Sequence, residues 1–479
     1  MKYKHISFVG LCLGFFIVMM DMTTVPLMYT TLMDEFTVSP ARVAWVNNIY
    51  LITYAASILL GGRLGDSADR KIVLIGALLV LGLGAAISGA GQTFVEVIVG
   101  RALMGIGAGF LTSQSMAYIS ILFAKGGRGT ALGIWGAVAG IATATGPVIT
   151  QLLLTTADWR WVMWINIPFV LAALVIALRC LPGDPGSGIR LSETFASAVY
   201  GLCLAGVIIG IHYISVAGIL RGVGIALILI GAAVIAILIR KEVKNKSAYI
   251  LSPELWFDGT FFRICFISGL LGLGVASFYL PLAFLLDVCM NFGPVAISVL
   301  MMTIALSNAV VGPYAGHLSD RIKPEGIVRS GLMLFALANG LLGFIGVLMP
   351  GGTVTFIALF LVMMIGGAGT GLAFAPLANL ALSRVSFEAL GRAAAFFNSI
   401  RQALSAMGAV IVAILFDWIV RLKLGIDLEI TATNLRESPG ITGLATLVCF
   451  LLIALGLSVA AYLSRDSRQD SVQGEVLNT

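Results

Sequence analysis

Apolar runs of about twenty residues follow one another along this whole chain, and that pattern excludes a soluble fold. The segment "GVGIALILIGAAVIAILI" (222–239) carries no polar side chain at all. About 20 such residues cross the hydrocarbon core of a bilayer as a helix. Backbone N–H and C=O groups find no water there, so only helices or closed barrels can span. Barrel strands would be shorter and would alternate in polarity, and these runs do neither. Composition agrees, with 59% apolar and 11% charged residues against roughly 25% charged in a soluble protein.

The pattern predicts an all-α polytopic membrane protein of 14 helices. The first six are expected near 6–28, 43–61, 72–91, 94–122, 130–153 and 161–180. Two more follow near 192–213 and 218–239, and the last six near 261–285, 294–314, 327–348, 353–379, 392–415 and 441–463. The start "MKYKHISFVGLCLGFFIVMM" has the basic and apolar regions of a signal peptide, but Asp21, Met22 and Thr23 follow where small residues would mark a cleavage site. It reads as an uncleaved first span.

Lysine and arginine set an orientation. With the N-terminus inside, the inner loops hold Arg63, Arg70, Lys71, Lys125, Arg128, Arg240, Lys241, Lys244, Lys246, Arg321, Lys323 and Arg329. The outer side holds only Arg42, Arg160, Arg221, Arg421, Lys423 and Arg436. This asymmetry places both termini in the cytoplasm, and the expected location is the cell membrane. The net charge of +6 is scattered through short loops, which argues against a nucleic-acid partner. The six cysteines form no Cys-x-x-Cys pair and the three histidines are far apart, so no metal site is expected.

A weak internal repeat is present. "GGRLGDSADRK" (61–71) follows the second helix, and "AGHLSDRIK" (315–323), with Asp320 and Arg321, follows the tenth. "RALMGIGAGF" in the fourth helix has a small-residue counterpart, "IGGAGTGLAF", in the twelfth. Repeated halves around a central site are a transporter plan. The expected organisation is a six-helix bundle (1–185), an inserted helix pair with its linker (186–258), a second six-helix bundle (259–464) and a polar tail (465–479).

Taken together and in order, these motifs resemble the major facilitator superfamily, and within it the fourteen-span drug:proton antiporters. The loop 61–71 is similar to the superfamily signature through Gly62, Leu64, Asp66, Arg70 and Lys71. "VGRALMGIGAGF" resembles the fourth-helix motif through Arg101, Gly105 and Gly107. "GIWGAVAGIATATGP" resembles the fifth-helix antiporter motif through Gly136, Gly140, Gly146 and Pro147. "DWRWVMWINIPF", "FFNSIRQALSAMGA" and "MDMTT" resemble segments of the fourteen-span group. Departures also stand out. Asp69 replaces a glycine and Ser67 a basic residue in the loop, Thr150 and Gln151 replace a glycine pair, and Pro26 and Thr30 differ from the usual first helix. The resemblance implies two six-helix bundles with a central helix pair, no cofactor beyond a proton gradient, a sealing role for the fifth helix and a latch role for the loop.

The charged residues inside spans carry the chemistry. A carboxylate in the middle of "FFIVMMDMTTVPLM" (15–28) costs roughly 2.5–3.5 kcal/mol at the centre of a span. Counted at 1.5 Å per residue, Asp21 lies roughly 10–13 Å below the outer face, and Arg101 about as deep. Opposite charges at one depth can pair. Burial favours the neutral form of an acid and a nearby guanidinium the charged form, so a group balanced between them can load and release a proton. The plain alternative is a static ion pair or a snorkelling side chain. Arg401 lies roughly 14 Å into the thirteenth helix with no acid at its depth. It meets either carbonyls and the side chains of Asn308 and Asn398, or an anionic substrate group. Gln114, Tyr118, Thr143 and Asn308 are polar candidates for a cavity wall. Asp66 is placed to favour the N-terminus of the third helix.

The expected function is proton-coupled efflux of apolar or amphipathic small molecules by a monomer in the lipid bilayer. The alternatives are a dedicated exporter of a metabolite or metal-chelating compound, and a membrane sensor built on a transporter fold. This sequence contains no G-x-x-x-x-G-K-[ST] loop for direct use of ATP and no H-E-x-x-H set for catalysis.

Overall fold

The computed structural model describes residues 4–123, 128–183, 191–214, 218–245, 250–251, 253–319, 321–383, 385, 390–425 and 430–465, and among them every regular element is helical. Fourteen helices are long and apolar enough to cross a membrane. The first group comprises α1 (Lys4–Phe36), α2 (Pro40–Ser67), α3 (Arg70–Ala90), α4 (Phe94–Ile119), α5 (Ile134–Thr156) and α6 (Trp159–Cys180). Then come α7 (Ser192–Ile214) and α8 (Ile219–Asn245). The last group comprises α9 (Gly259–Cys289), α10 (Pro294–Ser319), α11 (Pro324–Leu348), α12 (Thr353–Leu382), α13 (Arg392–Leu424) and α14 (Pro439–Leu463). Lys4 and Leu463 lie on the same side, called the terminal face here; the opposite side is the far face.

The packing has an internal two-fold logic. In the first half α2 and α3 pack on α4, α1 on α5 and α6, and α3 on α6. In the second half α10 and α11 pack on α12, α9 on α13 and α14, and α11 on α14. The second set is the first with each helix replaced by the one eight places later. The seams between halves obey the same exchange, since α2 packs on α13 and α10 on α5. The inserted pair breaks this symmetry. α7 lies against both α2 and α13 and covers that seam, while α8 packs mainly on α7 and leaves most of its apolar surface exposed. Outward-facing residues such as Leu79, Leu83, Leu229 and Leu361 are exposed and apolar, which suits a lipid solvent.

Two helices break where the halves meet at the far face. α1 is α-helical over Lys4–Thr24, a 3₁₀ turn over Val25–Met28, and α-helical again over Tyr29–Phe36. Pro26 has no N–H to give to the preceding turn, which releases the helix there. The equivalent helix α9 carries Pro281 and ends in a π-helical turn over Leu285–Cys289. Tyr29 and Phe284, beside the two breaks, stack with ring centroids 6.3 Å apart. Asp34 and Arg436 pair at 3.3 Å across the same face.

Several ends differ from expectation. α1 and α13 run on past the apolar windows, to Phe36 and Leu424. The extra turn "YTTLMDEF" is amphipathic and buries Leu32 and Met33, so packing holds it as helix beyond the apolar stretch.

Candidate functional site

Asp21 and Arg101 meet inside the first half. Arg101 Nη1 donates to Asp21 Oδ2 at 2.6 Å, and both side chains are fully enclosed. Arg101 Nε donates to the Val46 carbonyl at 2.9 Å, and its guanidinium carbon sits 4.5 Å from the centre of the Tyr50 ring. Tyr50 is held in turn by its hydroxyl bond to the Val18 carbonyl at 3.3 Å. Asp21 Oδ1 and Arg101 Nη2 have no hydrogen-bond partner among the described residues. Nearly all buried polar atoms in proteins are satisfied, so a pair with one such atom on each partner is poised for a further bond.

The fifth-helix motif lies against this pair. Pro147 cannot donate to the carbonyl of Thr143, which is orphaned one turn back. Thr23 Oγ1, on α1 and two residues from Asp21, lies 3.3 Å from that carbonyl and 2.9 Å from the Met20 carbonyl of its own helix, and its one hydrogen is shared between them. Gly146 makes the approach possible, since a Cβ there would sit 2.9 Å from the Met20 carbonyl oxygen. On its other side the Pro147 carbonyl lies 3.4 Å from Ser298 Oγ of α10, across the seam, where it shares that hydroxyl with the Pro294 carbonyl at 2.9 Å. A Cβ at Gly140 would meet Ala309 at 2.8 Å on the same seam, whereas one at Gly136 meets nothing. α5 therefore touches both the turn beside Asp21 and the second half.

Arg401 stands on α13, partly exposed, with its stem over Gly272 of α9. Its Nη2 donates to Asn398 Oδ1 at 2.7 Å, and its guanidinium carbon is 5.6 Å from the Phe374 ring centre. No described carboxylate lies within ion-pair distance. On α2, across the seam with α13, the Tyr54 hydroxyl bonds Thr112 Oγ1 of α4 at 3.1 Å. Asn308 Nδ2 donates to Thr370 Oγ1 at 2.8 Å, joining α10 to α12 within the second half.

The structure corrects three expectations. Gln114 and Tyr118 are fully buried. Gln114 Nε2 donates to the Gly61 carbonyl at 2.5 Å and fills the space over Gly65, and Tyr118 donates to the Pro182 carbonyl at 3.1 Å. Both hold α4 to its neighbours and line no cleft between halves. Thr143 is half-buried, and its hydroxyl bonds the Ala139 carbonyl of its own helix at 2.8 Å, which does not bear on a place in a cavity wall.

The third correction concerns the 61–71 loop. α2 runs through Asp66 to Ser67, and Asp66 pairs with Arg70. The residue that caps α3 is Asp69, extended at φ −68°, ψ 115°, with Oδ1 accepting from the Lys71 N–H at 2.8 Å. Lys71 Nζ donates to the Leu178 and Leu181 carbonyls, each at 2.9 Å, and so ties the loop to the end of α6. A Cβ at Gly62 would meet nothing. In the corresponding second loop Arg321 is exposed, and Asp320 lies outside the described residues.

Sequence reasoning missed Thr23, Tyr50, Tyr54 and the Val46 carbonyl as partners. Thr23 alone had a signal, as a hydroxyl next to an intramembrane acid. Among the described residues no three His, Cys, Asp or Glu side chains converge as a metal site. A cavity of about 30 Å³ between Thr260, Arg263, Glu325 and Ser464 lies in the second half, away from Asp21 and Arg401, and is too small for an organic molecule.

Comparison with known proteins follows the same lines. The Major Facilitator Superfamily model matches residues 11–409. The puromycin resistance protein pur8 of Streptomyces alboniger is 27% identical over 400 residues, covering 82% of this chain and 78% of that one. The riboflavin transporter RibZ of Clostridioides difficile is 23% identical over 412 residues, covering 85% and 87%. A bacterial homologue of the human lysosomal transporter Spinster, solved in an inward-facing and occupied conformation, superposes with a TM-score of 0.67 at 13% identity over 97% of this chain and 96% of that one. With the family model across most of its length and the fold shared with solved transporters, this chain belongs to the major facilitator superfamily.

Proposed function

We propose that the protein is a proton-coupled secondary transporter that exports apolar or amphipathic small molecules, with its terminal face in the cytoplasm. The observation that carries the reading is the enclosed Asp21–Arg101 pair, with an unsatisfied oxygen on the acid and an unsatisfied nitrogen on the base. Ionisable residues inside spans are costly and mark proton and substrate paths. A dry site favours a neutral carboxyl and a guanidinium a charged one, so a small change in the distance between Asp21 and Arg101 changes the proton affinity.

The surroundings supply the coupling. The turn after Asp21 is broken at Pro26, and the next turn carries Tyr29, which stacks on Phe284 of the other half. Thr23 and Pro147 link the same region to α10. When the halves rock about their seams, the strain arrives at the residues flanking Asp21. Proton release to one side then accompanies reorientation of the substrate site, as alternating access requires. The puromycin resistance relative supports export of a toxic compound. The riboflavin transporter supports the narrower reading of a single-metabolite carrier. Profiling substrates in vesicles separates these two.

The test of coupling is Asp21→Asn in proteoliposomes. The amide keeps size and hydrogen bonding but cannot release a proton. Exchange of substrate down its own gradient should persist, and uphill transport driven by a pH gradient should vanish. Normal uphill transport by the variant would refute the proton role.

A further inference from the structure

We infer that the substrate carries an oxyanion, such as a carboxylate, sulfonate or phosphate on an aromatic or apolar body, and that Arg401 on α13 binds it. This rests on the transporter reading above and names its substrate class. The two intramembrane arginines are the starting point. Arg101 is fully enclosed and neutralised by Asp21. Arg401 is the opposite: partly exposed, about 16 Å along its helix from Leu390, and without a carboxylate within ion-pair distance among the described residues.

A guanidinium at the centre of a span costs roughly 2.5–3.5 kcal/mol on insertion scales. The one bond to Asn398 and the Phe374 face account for part of its donors and none of its charge. Five N–H donors in a planar fork match an oxyanion in two-point contact. The depth of Arg401 keeps it out of reach of lipid headgroups, so a ligand that enters between the halves is the available counter-charge.

The neighbours fit such a ligand. α2, which packs on α13, carries Tyr54, whose hydroxyl bonds Thr112 of α4 at 3.1 Å. Gln402 follows Arg401 on α13. Phe374 offers an aromatic face for the apolar part of the molecule. Binding at Arg401 would draw α2 and α13 together, one from each half, which is the movement an alternating-access carrier must make.

Equilibrium dialysis of the full-length protein in detergent micelles tests this. The probes are radiolabelled 1-naphthoate and its cationic size match, 1-naphthylmethylammonium. Wild-type protein should bind naphthoate saturably and more tightly than the cation. Arg401→Gln should weaken naphthoate by about thirtyfold or more, the loss expected when one partner of a buried charge pair is removed, and leave the cation unweakened. Unchanged naphthoate affinity in Arg401→Gln, a wild-type preference for the cation, or no saturable naphthoate binding would each overturn the inference. If Arg401→Gln does not fold, the wild-type preference between the two probes decides the matter. The measurement uses no proton gradient, so its failure leaves the Asp21 test standing, and failure of that test leaves this one standing.

Discussion

The Asp21–Arg101 pair can be measured as a unit by a double-mutant cycle. Arg101→Gln removes the 2.6 Å ion pair, the 2.9 Å bond to the Val46 carbonyl and the stacking on Tyr50, and leaves a carboxylate enclosed without a cation. Breaking a buried pair from one side costs about 3–5 kcal/mol, because the remaining charge has neither water nor partner. Asp21→Asn keeps an oxygen in front of Arg101 but leaves its cation enclosed without a counter-charge, a loss of about 3 kcal/mol, at the lower end of the same range because the amide still accepts a hydrogen bond. In the double variant no charge remains, and an amide faces an amide. Its cost should fall short of the sum of the two single losses by about 2 kcal/mol, within the usual range for residues in direct contact. The assay is reversible unfolding of purified protein in mixed micelles titrated with SDS, read by far-UV circular dichroism. Additivity within about 0.5 kcal/mol would mean that the two groups do not act as a pair, and the proton-coupling argument would lose its physical basis.

Three further outcomes are expected. In a cysteine-free background, single cysteines at Lys244 and Lys423, both exposed and at the ends of α8 and α13, should label from opposite sides of intact cells, Lys244 from within; labelling of both from outside would refute the proposed orientation. Gly146→Ala brings a Cβ to 2.9 Å from the Met20 carbonyl and should cost about 1–3 kcal/mol by overpacking, with slowed transport, while Gly136→Ala should be silent because nothing lies near it; equal thermal stability of the two variants would contradict the α1–α5 contact. Asp69→Ala should lower stability by about 1 kcal/mol through the lost cap, more than Asp66→Ala, whose carboxylate is half exposed in its pair with Arg70; the reverse order in thermal unfolding would return the capping role to Asp66.

The span count, the repeat and the meeting of Asp21 with Arg101 were legible in the sequence for one reason. Hydropathy and helix rise are local quantities, and a bilayer admits little other than helices, so position along the chain converts directly into depth. Depth does not say which way a side chain points. In water an amphipathic stripe reveals the buried face of a helix, but lipid is as apolar as a protein core, and helices such as α4 and α12 show no distinct polar stripe. Gln114 and Tyr118 therefore looked like cavity residues on polarity alone, and only packing turned them toward Gly61 and Pro182. The same limit hid Thr23 as a neighbour of the carbonyl that Pro147 orphans, and hid Phe374 and Gly272 as the neighbours of Arg401 from helices far apart in the chain. Asp69, which breaks the loop signature, gained its role from the backbone conformation that puts its carboxylate over the first turn of α3. The sequence determined which charges enter the membrane and how deep they lie. Tertiary packing decided that one arginine is neutralised and that the other, among the described residues, is not, because counter-charges are assigned by the contacts between helices and not by the order of residues along them.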